Sequence, residues 1–150
     1  TVAELDIKAD AFIPEKYVEA SSSRLDCYKQ IAEIRTLDDY KRVCLSMEEN
    51  YGKMPPEVLN LLVIAVLKAY AAKFNIRKLA VGAKGGRVEL PSVNSLADPR
   101  LAAALDRFGS GVRLDMSKTP AIEFAGGKDA RAVMLAMTKF FKFAENAQAA

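Results

Sequence analysis

From Glu4 to Ile13 apolar and charged positions alternate, with Leu5, Ile7, Ala9 and Ala11 set against Glu4, Asp6, Lys8 and Asp10. Period two predicts a strand with one wet face, ended by Pro14. The period then lengthens. Ser21-Ser22-Ser23 reads as a break and a helix N-cap, with Ser23 and Asp26 spaced as a capping box, and Leu25, Tyr28, Ile31, Ala32 and Arg35 follow at helical intervals. Thr36 with Asp39 repeats the device, and Leu37, Tyr40, Val43, Cys44 and Met47 predict a second amphipathic helix stopped by a left-handed Gly52. Pro55 and Pro56 suit the first turn of a third helix, apolar nearly all round from Val58 to Phe74 and ended at Asn75. A helix of that kind is normally the buried centre of a domain.

The second half is built differently. Leu79-Ala80-Val81 and Val88-Glu89-Leu90 flank Lys84-Gly85-Gly86-Arg87, which predicts a β-hairpin turning on the glycines. Asp98-Pro99 reads as N-cap and first residue of a helix bearing Leu101, Ala104, Leu105 and Phe108 on one face. Val112 to Met116 and Ala121 to Phe124 alternate again, parted by Thr119-Pro120. A last helix from Asp129 to Glu145 carries Val133, Met137, Phe140 and Ala144 along one stripe, with Met134 and Phe141 beside it. The order strand, three helices, β-hairpin, helix, two strands, helix segregates helices from strands. It predicts an α+β fold, one domain over residues 1–150, with helices packed on a small mixed sheet.

Composition narrows the chemistry. At 51% hydrophobic and 27% charged, the 150-residue chain is not globally disordered. It has no His, so the usual general base and the commonest metal ligand are absent. Cys27 and Cys44 form no CxxC pair and read as small buried hydrophobes of a reducing compartment. Thr1 to Asp6 has no signal-peptide character, and the longest apolar run, Leu61 to Leu67, is far short of the ~20 residues of a membrane span. With no starting Met, the expectation is a cytoplasmic piece of a longer chain. The glycine cluster from Gly82 to Arg87 lacks the Lys-Ser/Thr ending and the following helix of a phosphate loop, so a hairpin turn is the better reading. Ser21 to Ser23 have no His to activate them, and the carboxylate pairs Asp38-Asp39 and Glu48-Glu49 sit where solvated helix faces are expected. No catalytic, cofactor or metal constellation is expected.

Charge divides unevenly: residues 1–75 sum to −2 and residues 76–150 to +5. A basic second half permits weak nucleic-acid contact, although no helix combines a cationic face with interleaved aromatics. A protein-interaction domain with a mildly bipolar surface is the stronger expectation.

The runs Arg24-Leu25-Asp26-Cys27-Tyr28-Lys29-Gln30-Ile31-Ala32 and Tyr51-Gly52-Lys53-Met54-Pro55-Pro56-Glu57-Val58, then Asn75-Ile76-Arg77-Lys78-Leu79 and Lys84-Gly85-Gly86, carry a family likeness. In order and spacing the chain resembles the C-terminal (TRCF) domain of bacterial transcription-repair coupling factors. The resemblance implies a parent that is a helicase-superfamily, ATP- and Mg-dependent DNA translocase, which displaces stalled RNA polymerase and recruits nucleotide-excision repair. It implies that this domain is non-catalytic and holds no cofactor or metal. It further implies that the domain packs on the parent's N-terminal repair-homology module, masking the surface for the excision-repair damage-recognition protein and so repressing the parent. The family's contact uses acids near the end of the second helix, ahead of an aromatic-Gly pair; here that stretch is Glu48 and Glu49 before Tyr51-Gly52. Where the family commonly reads Asp-Arg-aromatic-Gly, this chain has Glu49-Asn50-Tyr51-Gly52, with Ser46 one turn earlier where an acid can occur.

Overall fold

The computed structural model describes residues 2–147, so Thr1, where the N-terminal reading begins, lies outside them. The chain runs β1 (Glu4–Ile7), α1 (Ser21–Ala32), α2 (Leu37–Tyr51), α3 (Pro56–Lys73), β2 (Lys78–Gly82), β3 (Gly85–Glu89), α4 (Pro99–Arg107), β4 (Val112–Asp115), β5 (Ala121–Ala125) and α5 (Ala130–Ala147). A 3-10 turn at Val93–Ala97, which the pattern does not predict, precedes α4. This is the expected α+β order. Among the described residues no helix is long and apolar enough to cross a membrane.

The chain divides into two compact units, one formed by the N-terminal residues up to Lys8 with Tyr70 onward, the other by Ala9–Ala69. In the first, five strands pair in the order β1-β2-β3-β5-β4, with β1 parallel to β2 and the remaining pairs antiparallel. Helix α5 packs on β2, β3 and β5. Its stripe of Val133, Met134, Met137, Phe140, Phe141 and Ala144 is buried, as are Leu79, Val81, Val88 and Ile122 of the strands. Edge-on rings knit the layers: Phe140 lies 5.2 Å from Phe124 and 5.4 Å from Phe141.

Two expectations for this unit need correction. The hairpin turns on Ala83-Lys84, because Gly82 pairs with Gly85 and both Gly85 and Gly86 are strand residues. Gly85 is the constrained one, with φ 152° and room for no Cβ, which would lie 2.7 Å from the Phe124 carbonyl oxygen, whereas a Cβ at Gly86 would meet only the flexible end of Met137 at 2.8 Å. The first strand ends at Ile7 rather than Ile13, where its pairing with Val81 of β2 gives out.

The helical unit follows the capping signals where they are complete. The Thr36 hydroxyl accepts from the Asp39 N–H at 3.0 Å while the Asp39 carboxylate accepts from the Thr36 N–H at 3.1 Å, a reciprocal box that starts α2. Gly52 takes a positive φ of 85° at its end, and Asn75 leaves α3 at φ 54°. Helix α3 begins at Pro56 and is buried on most sides, with Leu62, Val63, Val66 and Leu67 almost wholly enclosed. Helix α1 departs from expectation. It starts at Ser21 from Ala20, with no side-chain cap, so Ser23 and Asp26 form no box. Its buried positions are Cys27 and Ile31, while Leu25 and Tyr28 are exposed. Tyr28 is drawn outward by its hydroxyl, which accepts from the Ile13 N–H at 2.8 Å. Cys27 is buried as expected and Cys44 only half so; burial pushes both thiols up.

Candidate protein-interaction site

Helices α1 and α2 pack against each other and are joined by Glu33 to Thr36. The joint is held by Asp39, whose carboxylate accepts from the Arg35 N–H at 2.9 Å and pairs with Arg42. Those bonds, the Arg35 N–H foremost, hold the Asp39 carboxyl below its ordinary range. The far end of α2 is tied by Tyr17, whose hydroxyl donates to the Gly52 carbonyl at 2.8 Å and whose ring lies 5.9 Å from that of Tyr51.

Between these ties the two candidate acids part company. Consecutive helix positions differ by about 100° around the axis, so neighbours in sequence do not share a face. Glu48 falls with Tyr40 and Cys44, where its charge adds to the burial that pushes the Tyr40 phenol up to about 12. Glu49 instead lines a groove of about 580 Å³ with Gln30, Glu33 and Ile34 from the α1 side and Asp39, Arg42, Val43, Leu45 and Ser46 from α2. Among the described residues Glu33, Glu48 and Glu49 take part in no ion pair. Asn50, where the family commonly has Arg, turns back on its own helix and donates to the Ser46 carbonyl at 2.8 Å. Both glutamates lie in a last turn that holds no basic residue. Acids there oppose the partial negative charge of a helix C-terminus, an arrangement that local stability does not favour.

Leu45 and Glu33 are part of this face, and sequence reasoning passed over both. Leu45 is 60% exposed, the largest such value among the apolar residues of the helical unit. Its signal was its position, an aliphatic residue off the Tyr40-Cys44-Met47 stripe. Glu33 carried no signal, because only the packing of α1 on α2 brings it to Glu49.

Among the described residues, four cations of the basic second half are held in ion pairs. On the sheet face away from α5, Arg87 donates to Asp115 at 2.8 Å and to Glu123 at 2.9 Å, and Arg113 also pairs with Glu123. Lys78 pairs with Glu4 at 3.1 Å and Arg100 with Asp98 at 2.7 Å. A shallow basin of about 1010 Å³ over this face is lined by Lys8, Lys84, Arg87 and Arg113 together with Asp6 and Glu123, and Phe124 is its only aromatic. Phe124 is buried. The stacking surface that single-stranded nucleic acid requires is missing there.

A family model described as TRCF domain matches residues 7–101. The transcription-repair-coupling factor of Escherichia coli (strain K12) is 29% identical over 112 residues, 75% of this chain and 10% of that protein. That of Bacillus subtilis (strain 168) is 32% identical over 68 residues, 45% of this chain and 6% of that protein. The chain thus spans roughly a tenth or less of the length of these curated relatives. The crystal structure of the C-terminal domain of a transcription-repair coupling factor matches with a TM-score of 0.80 over 97% of this chain and 93% of that one. At 18% identity that match shows the shared fold.

Proposed function

The chain belongs to the TRCF-domain family, and from that premise we propose that it is the non-catalytic regulatory domain of a cytoplasmic transcription-coupled repair translocase. It packs the end of α2 on the parent's N-terminal repair-homology module and masks the surface that recruits the damage-recognition protein. ATP, magnesium, DNA and RNA polymerase are handled by the parent's other domains. One observation carries this reading: α2 ends in exposed, unpaired Glu48 and Glu49, placed against its own dipole. A basic partner surface relieves that opposition and gives the acids a purpose that α2 alone does not. An exposed ion pair contributes only about 0.2–1 kcal/mol. A clamp held by a few such pairs opens when a ligand with higher affinity for the open state competes.

The test is a calorimetric titration of this chain with the N-terminal repair-homology module at low and moderate salt. Saturable binding that weakens with salt and with Glu49→Lys is the expected result. Binding to DNA with a steep salt dependence, and none to the module, would replace this reading by nucleic-acid contact through the basic second half.

A further inference from the structure

Resting on that reading, we propose that the groove between α1 and α2 is the socket of the clamp, and that its occupant is a basic polypeptide segment seating a large apolar side chain on Leu45. The walls hold an apolar strip with an acidic rim. Ile34, which is buried, and Val43 line it together with Leu45, which is 60% exposed, and with the exposed Glu33 from the α1 side and Glu49 from α2. Asp39 belongs to the walls too, but its carboxylate is committed to the α2 cap and to Arg42, so the free negative charge is that of Glu33 and Glu49. That charge repels nucleic acid and anionic lipid and favours Lys or Arg. An exposed leucine beside unpaired acids offers a partner apolar area to bury, while the charged rim sets specificity and rate. Glu48 lies on the Tyr40-Cys44 side and has no part in the socket.

The socket is tested by titrating the isotope-labelled 150-residue chain with the N-terminal repair-homology module, up to about 1 mM, and following backbone amide resonances. Variants are Glu33→Lys, Leu45→Asp and, as a control on α4 away from the helix pair, Asp106→Lys, all at exposed positions, each first shown to melt like the parent chain. The expected result is saturable shifts at Glu33, Val43 and Glu49. Glu33→Lys and Leu45→Asp each weaken binding about tenfold or more, and Asp106→Lys leaves it nearly unchanged. Binding that survives Glu33→Lys and Leu45→Asp, or that falls as far with Asp106→Lys, overturns the socket and leaves the clamp standing. Shifts of the same resonances by the labelled chain's own concentration give the groove to a second copy and also overturn it. No saturable binding at about 1 mM removes socket and clamp together, because a flexible tether supplies an effective concentration of only that order.

Discussion

The sheet face and the helix pair use charge in opposite ways. On the sheet, Arg87 sits between Asp115 and Glu123, Arg113 shares Glu123, and Lys78 holds Glu4, so these three cations are each answered by a neighbouring acid. On the helix pair, Asp39 is answered by Arg42, while Glu33 and Glu49 stand open beside an exposed leucine. Counted by halves of the chain, the second half carries the larger net charge and is the natural place to look for a binding surface. Counted by pairs, the sheet face is quieter than the helix pair. A paired charge satisfies its own surface, and an unpaired charge next to apolar area leaves something for a partner to complete.

If the sheet unit is scaffold, its stability resides in the α5 stripe, and the largest effect expected anywhere is there. Phe140 is fully buried and its ring meets those of Phe108, Phe124 and Phe141 at 5.8, 5.2 and 5.4 Å. Phe140→Ala is expected to cost about 3–5 kcal/mol, read from the shift of the urea unfolding midpoint. A loss below about 1 kcal/mol would mean the site collapses freely and the sheet unit is no rigid scaffold.

What could be read in advance follows the range of the forces involved. The Thr36-Asp39 box, the Asp98-Pro99 start, the Gly52 stop and the α5 stripe are set by residues within a turn or two of one another, and all stand where the pattern placed them. The exceptions depend on distant residues. Gly86 looked like a turn glycine and is a strand residue paired with Val81 and facing Met137 of α5. Tyr28 looked like core and is turned outward by the Ile13 amide. The candidate site divides in the same way. Glu49 was a candidate only through the family likeness around Tyr51-Gly52, whereas Glu33 lines the same groove only because α1 packs on α2.

The helix pair depends on the cap that starts α2, and its removal should cost less than a core ring. Thr36→Ala deletes the acceptor of the Asp39 N–H while leaving the Arg35 and Arg42 bonds to Asp39 in place. A cost of about 0.5–2 kcal/mol is expected by chemical denaturation, with faster amide exchange confined to the first turn of α2. Uniformly faster exchange over α1 as well would mean that the cap holds the whole helix pair together, and Thr36→Ala would then weaken partner binding too.

The smallest effect concerns the paired acid of the sheet face, and its sign is fixed by its bonds. Asp115 accepts from the Ser117 N–H at 3.0 Å and the Ser117 hydroxyl at 2.7 Å, and pairs with Arg87 at 2.8 Å. Ser117 first, then Arg87, holds the carboxyl well below the usual carboxylate range. A carboxyl whose folded pKa is depressed adds stability above its unfolded value of about 3.9, and that addition is lost as pH falls further towards the folded pKa. Asp115→Asn should therefore lower the melting temperature slightly at pH 7, and the gap from the parent chain should close as pH drops below about 4. A gap that stays constant down to pH 2 would assign the loss to packing of the turn rather than to charge. The sheet face would then be quiet for a reason other than the pairing of its ions.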